Sequence, residues 1–134
     1  MSVGPVTRDE ATAEFFDSAA AGRFLLRSCL AGHVSEPAAA ACTTCARTDL
    51  HWVPACGGAT LVSWAVSWSR PSGGEPPRQT VLVIGELDEG PWWWTQLAGD
   101  PAPAAEALTP GRRLRIEFQR ADADYEAVPV FVLE

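Results

Sequence analysis

The chain contains no lysine; all ten of its basic residues are arginine. Together with the alanine and proline content, this points to high-GC bacterial coding. Cationic charge is scarce overall, with a net charge of −7 and a pI near 4.7. A nucleic-acid binder needs a basic footprint to displace counterions, so the charge balance argues against a polyanionic partner. Long apolar runs are also missing, and none approaches the ~20 residues of a membrane span. Residues 1–10 carry Arg8, Asp9 and Glu10 and no apolar stretch, which does not read as a secretory leader. The expectation is a cytoplasmic protein with no membrane contact. Histidine is limited to His33 and His51, and no GxSxG, P-loop or HExxH motif occurs. No catalytic constellation is expected. Glu86, Asp88 and Glu89 cluster at a turn, where carboxylates are usually solvated, and lack a companion base.

What is present is enough apolar residue, 47% of 134, for a packed core. That length suits one domain, or one with a small appendage. Four cysteines, Cys29, Cys42, Cys45 and Cys56, would allow two disulfides. In a cytosolic protein, however, the pair Cys42-Thr43-Thr44-Cys45 reads as metal-binding or redox-active. A redox role fits poorly, because no βαβ pattern surrounds the pair and no helix N-terminus is evident beside it. A structural zinc site draws two ligands from each of two knuckles. Cys42 and Cys45 form one. Cys29 offers the other, with His33 in C-x3-H spacing; the fourth ligand is His33, the distant Cys56, or none.

The pattern divides the chain into three parts. Residues 1–28 form a helical arm and a lead-in strand, with a helix over 12–21 and a strand over 23–28. Phe15 and Phe16 are the bulky apolar groups of the helix and need a surface to dock on, this protein's own or a partner's. Residues 29–51 are the ribbon candidate, and residues 52–134 a β-barrel. Val62, Trp64, Val66 and Trp68 alternate with small or polar residues, after a Gly57-Gly58 pair that permits a bulge. Residues 70–78 are a loop by proline and glycine content. Strands follow over 80–87, 92–97, 113–120 and 128–133, with a short alanine-rich helix over 101–108 between the third and fourth barrel strands. Leu114, Ile116 and Phe118 point inward. Five strands with a helical insertion after the third suit an OB-fold barrel. In the strand Trp92-Trp93-Trp94, alternation must turn at least one indole away from the core. Exposed tryptophan is enriched at binding hot spots.

In order and spacing, these residues resemble the acyl-CoA-associated zinc-ribbon/OB-fold family, small partner subunits of thiolase-like and lipid-transfer-type thiolase enzymes. The stretch EFFDSAAAGRFLLRSC, from Glu14 to Cys29, looks like the family's helix and lead-in strand. Cys42 and Cys45 resemble its second knuckle, and Gly57-Gly58-Ala59-Thr60 the start of its barrel. Gly85 to Gly90, Thr109-Pro110-Gly111 and Val128-Pro129-Val130-Phe131 match its later landmarks. The chain departs at the first knuckle, which in the family reads CxxCG. Here Cys29-Leu30-Ala31 runs into Gly32-His33, and His33 aligns with an ordinary residue after the glycine.

The resemblance implies a mainly β protein: an N-terminal helix, a rubredoxin-like zinc ribbon (intact or degenerate) and a C-terminal five-stranded OB-fold barrel. It implies zinc held in part by Cys42 and Cys45; with the spacing of the first knuckle, the candidate ligand set is Cys29, His33, Cys42 and Cys45, and the candidate interface is Phe15, Phe16, Trp92, Trp93 and Trp94. It further implies a heteromer with a thiolase-like or ketosynthase-like enzyme, whose nucleophile does the chemistry. This chain would help to form the shared acyl-CoA or acyl-carrier thioester site, in carbon–carbon bond formation, cleavage or acyl transfer of lipid, steroid or polyketide-type metabolism. The alternative is a stand-alone OB-fold module that binds a nucleotide or single-stranded nucleic acid.

Overall fold

The computed structural model describes residues 3–69, 73–74, 76–99 and 105–134. One α-helix, α1 (Ala13–Ala20), precedes eight strands: β1 (Leu25–Ser28), β2 (Val34–Ser35), β3 (His51–Pro54), β4 (Gly58–Trp68), β5 (Gln79–Leu87), β6 (Trp92–Gln96), β7 (Arg113–Gln119) and β8 (Val128–Leu133). The strands form two sheets, a three-stranded one in the order β2-β1-β3 and a five-stranded one in the order β6-β5-β4-β7-β8. The described residues are therefore mainly β, with a short N-terminal helix, a cysteine-bearing finger and a curled five-stranded half-barrel. The loop and the short helix read from the sequence over 70–78 and 101–108 lie partly outside the described residues. Ala105 and Glu106 are helical.

The five-stranded sheet bends round on itself. Leu97, just past β6, makes a parallel bridge to Phe131 of β8, and the Ala98 amide donates to the Phe131 carbonyl at 2.8 Å. First strand next to second and fourth, third strand meeting fifth in parallel: this is the connectivity of an OB barrel. Its core is the inward set Ala59, Leu61, Val81, Val83, Leu87, Leu114, Ile116 and Phe131. Gly85 faces the Phe131 ring, and a Cβ at this glycine would sit 2.7 Å from Phe131 Cζ. The missing side chain lets the ring lie across the strand and fill the curve of the sheet.

Strand β4 does not alternate evenly. Leu61 pairs with Gly85 and Ser63 with Ile84, leaving Val62 as a bulge. The bulge shifts the inward phase from Ala59 and Leu61 to Trp64, Val66 and Trp68, which pair with Val83, Val81 and Gln79. Sequence alternation identified the second half of this series; the bulge residue itself looks like one more apolar position. Strand β7 pairs with β4 only over Gly58 to Thr60. The distal β4–β5 hairpin thus runs on beyond the barrel as a two-stranded ribbon.

Phe15 and Phe16 are both 8% exposed and dock on this protein's own core. Phe15 packs edge-on against Phe16 and Phe24, with ring centroids 5.3 and 5.9 Å away. The boundary drawn between residues 51 and 52 falls inside β3, which pairs along its whole length with β1.

Candidate metal centre and aromatic surface

The finger is a hairpin followed by a knuckle. Arg27 pairs with Ser35 and Ser28 with Val34, and the Cys29 amide donates to the His33 carbonyl at 3.0 Å. Cys29 and His33 thus face each other across a three-residue turn, Leu30-Ala31-Gly32. The turn needs a left-handed residue before the return strand, and Gly32 supplies it at φ 87°. Opposed residues of a hairpin present their side chains on one face, so Cys29 Sγ lies 3.5 Å from His33 Nδ1. That register explains why C-x3-H spacing works here. Alignment on the glycine alone made His33 an ordinary residue; the hairpin turns it into the cluster.

The second knuckle closes over the same point. The Cys42 amide donates to the Arg47 carbonyl at 2.8 Å, and the Ala46 amide to the Cys42 carbonyl at 2.9 Å. Ala46 takes the left-handed turn at φ 63°, at some cost for a residue with a Cβ. The Thr44 amide points at Cys42 Sγ from 3.4 Å, and Cys45 Sγ lies 3.8 Å from Cys29 Sγ. The four ligand atoms of Cys29, His33, Cys42 and Cys45 all fall within 4.8 Å of one another. All four cysteines are free thiols.

Bond lengths test whether a metal fits. Tetrahedral zinc, with Zn–S about 2.3 Å and Zn–N about 2.0–2.1 Å, places two sulfurs about 3.8 Å apart and a sulfur and nitrogen about 3.5 Å apart. The Cys29–Cys45 and Cys29–His33 separations match both edges. The electrostatics agree. The Cys45 and Thr44 amides lower the Cys42 thiol to about 6 against burial, so it is already a thiolate at neutral pH. At Cys45 the Arg47 amide pulls downward, but burial and the neighbouring Cys42 and Cys29 sulfurs push harder, and the net is upward. A cation would relieve that crowding of negative sulfur. Four close Cys and His side chains of this geometry can hold a metal such as zinc.

Cys56, the other fourth ligand considered from the sequence, is elsewhere. Its amide donates to Glu89 at 2.7 Å and its thiol to Asp88 at 3.5 Å. The acidic turn is similarly committed: Arg113 grips Asp88 at 2.8 and 2.9 Å, and the Trp92 indole donates to Glu86 at 3.3 Å.

The three tryptophans of β6 split as alternation requires. Trp93 turns in against Phe24, ring centroids 5.2 Å apart. Trp92 and Trp94 face out, 56% and 69% exposed. Trp94 shares the sheet's outer face with Ile84 of β5, its partner across the ladder; Trp68, 63% exposed, pairs with Gln79 on the opposite face, the one on which Val81 and Val83 turn inward. Trp68 had no part in the interface read from the sequence. Its alternation was visible, but not the fact that the hairpin outruns β7.

The fold is that of a zinc-ribbon-like finger on an OB half-barrel. No protein-family model and no curated protein sequence matches the chain. Its shape does have a counterpart: 94% of the chain superposes on 96% of a chain from a structure described as "Ltp2-ChsH2(DUF35) aldolase", with a TM-score of 0.75 and 24% identity. At this identity the likeness establishes the shared fold. Among the described residues, no helix is long and apolar enough to cross a membrane.

Proposed function

We propose that this chain is a non-catalytic accessory subunit that binds a thiolase-like enzyme and helps to form its acyl-CoA or acyl-carrier thioester site. The partner's reaction is then carbon–carbon bond formation, cleavage or acyl transfer. The observation that carries this reading is the pair of exposed indoles, Trp92 and Trp94, on the outer face of the five-stranded sheet, with Val66 and Trp68 exposed on the other face of the distal hairpin. Large exposed aromatics on rigid strands are what a protein interface needs. Beyond Thr60 and Leu61, the edge of β4 away from β5 carries no strand partner among the described residues, and a partner's strand would cap it. The similar structure is described by a two-component name, Ltp2 and ChsH2(DUF35), and as an aldolase, which agrees with a partner that does the chemistry.

In this reading zinc sits at Cys29, His33, Cys42 and Cys45 and is structural, since four protein ligands close the coordination shell. The protein works in the cytoplasm. A nucleic-acid-binding OB module fits less well: Trp92 is tied to Glu86, and a carboxylate beside the stacking ring repels phosphate.

Co-expression with a thiolase-like enzyme from the same genome tests the proposal. One heteromeric species on size exclusion is expected, and Trp94→Ser with Trp68→Ser should split it while leaving each protein folded. Two independently eluting proteins would overturn the reading.

A further inference from the structure

The distal half of β4 is a strand edge with no strand beside it among the described residues. From Ser63 to Trp68 it pairs with β5 on one side, while β7 reaches β4 only at Gly58 to Thr60. The phase of the ladder fixes which backbone groups are left over. The Ser69 amide donates to the Arg78 carbonyl at 2.8 Å. Alternation in an antiparallel pair then turns the N–H and C=O groups of Ser63, Ala65 and Ser67 toward β5, and those of Trp64, Val66 and Trp68 toward the open side. Nearer the barrel the phase is the opposite: the Leu61 amide donates away from β5, to the Arg112 carbonyl at 2.8 Å. The bulge at Val62 accounts for the switch.

Native edges are ordinarily guarded by a charge, a proline or a short length. From Ser63 to Trp68 this edge has neither charge nor proline. Residues 50–69 contain no Asp, Glu or Arg, the longest such stretch in a chain of net charge −7. Two copies repel each other least where they meet along it. The edge is also self-complementary. Laid antiparallel on itself about Val66, it sets Trp64 opposite the second copy's Trp68 and Val66 opposite its own counterpart. All of these are hydrogen-bonded pairs, so the open N–H and C=O groups of Trp64, Val66 and Trp68 are all used. Cross-strand aromatic pairs add to the contact, and Val66 and Trp68, 41% and 63% exposed, are covered. On the other face only Ser63, Ala65, Ser67 and Ser69 meet, too small to hold the strands apart.

We propose that β4 pairs with β4 of a second copy of this chain, joining two half-barrels into one sheet across a two-fold axis at Val66. The strand that caps this edge is then the protein's own. The inference is independent of the enzyme partnership, because Trp92 and Trp94 lie on the opposite face of the sheet.

Sedimentation velocity of the purified full chain over a range of concentrations tests it. A monomer–dimer equilibrium is expected. Val66→Pro deletes the N–H at the axis in both copies and removes no bond to β5, so it should weaken the dimer at least about tenfold with the circular dichroism unchanged. Val66→Lys sets two like charges against each other at the axis and should leave monomer alone. Trp94→Ser, on the outer face, should not move the equilibrium. The register is tested by cross-linking in a Cys56→Ser background. Val66→Cys should form a covalent dimer with oxidised glutathione, since Cα atoms of such a pair lie about 5.5 Å apart; Ser63→Cys, which faces the second copy's Ser69, should not. A chain that is monomeric at every concentration, a dimer that survives Val66→Pro or Val66→Lys, a dimer split by Trp94→Ser, or a cross-link at Ser63 in place of Val66 would overturn the proposal. The monomeric result would leave the edge to the strand of another protein.

Discussion

Between Cys29 and Leu50 the finger buries three side chains, Cys29, Ser35 and Cys42, and two of them are candidate metal ligands. The barrel strands β4 to β8 bury a continuous apolar set from Ala59 to Phe131. One segment has almost no hydrophobic reason to hold its shape; the other has little else. A segment of this size cannot stabilise itself by burial, and natural solutions add a metal or a disulfide. With free thiols at metal-binding distances, the finger has the side chains that a metal would need. The two regions should therefore fail separately and for different causes.

The largest effect is expected in the barrel. Phe131 is fully buried, covers Gly85 and carries the bridge that joins β6 to β8. Phe131→Ala should cost about 3–5 kcal/mol, a large share of the roughly 5–15 kcal/mol that a domain has. Urea denaturation followed by tryptophan fluorescence would measure it. A cost below about 1 kcal/mol would show that the barrel closure is not where the stability lies.

In the finger, Cys42→Ser should bring bound zinc from about one per chain to near zero. Amide exchange should accelerate across residues 29–50 while the amides of β5 and β7 stay protected. Cys56→Ser should leave the zinc content as it was. Loss of metal in Cys56→Ser, or loss of barrel protection in Cys42→Ser, would erase the distinction between the two regions.

The same contrast governs what could be read from the sequence. The barrel strands announce themselves by alternation, and β8 appears at its observed limits, Val128–Leu133. Burial imposes a period on the chain, and the period survives into the sequence. The Cys42–Cys45 pair is equally plain, since both ligands lie within one turn. His33 was harder, because its role depends on which residue faces Cys29 across a hairpin. Register is a property of two strands, and here a single glycine turn sets it. The bulge at Val62 was hidden for the same reason: it exists only relative to β5. Phe15 and Phe16 needed a surface, and only the packed structure shows whose it is.

A more moderate perturbation sharpens the barrel side. Gly85→Ala puts a methyl carbon 2.7 Å from the Phe131 ring, in a core with no room for it. The expected cost is about 1–3 kcal/mol. Because metal binding does not depend on this contact, the zinc content should stay unchanged. Thermal unfolding and metal analysis of one sample would check both halves. An unchanged midpoint would mean that the ring moves aside freely.

Acid should separate the two regions with the smallest change of all. The finger responds first, because metal release follows protonation of its thiolates, and Cys42 is held at about 6 before any metal binds. The barrel's response comes later. The Arg113 guanidinium, with lesser help from the Cys56 thiol and against burial, holds the Asp88 carboxyl below its ordinary 3.8. The folded state then binds fewer protons than the unfolded one. The stabilisation is therefore present above about pH 3.8 and is lost as pH falls through the depressed value. The pair is largely exposed, so the contribution is small and salt-sensitive. Arg113→Gln should lower the midpoint slightly at pH 6 and merge with the parent protein as both are titrated toward pH 2, whereas zinc loss should be complete before that merger begins. A gap between parent and variant that widens on acidification would reverse the sign required of this pair, and zinc retained through the merger would place the finger's acid response after the barrel's.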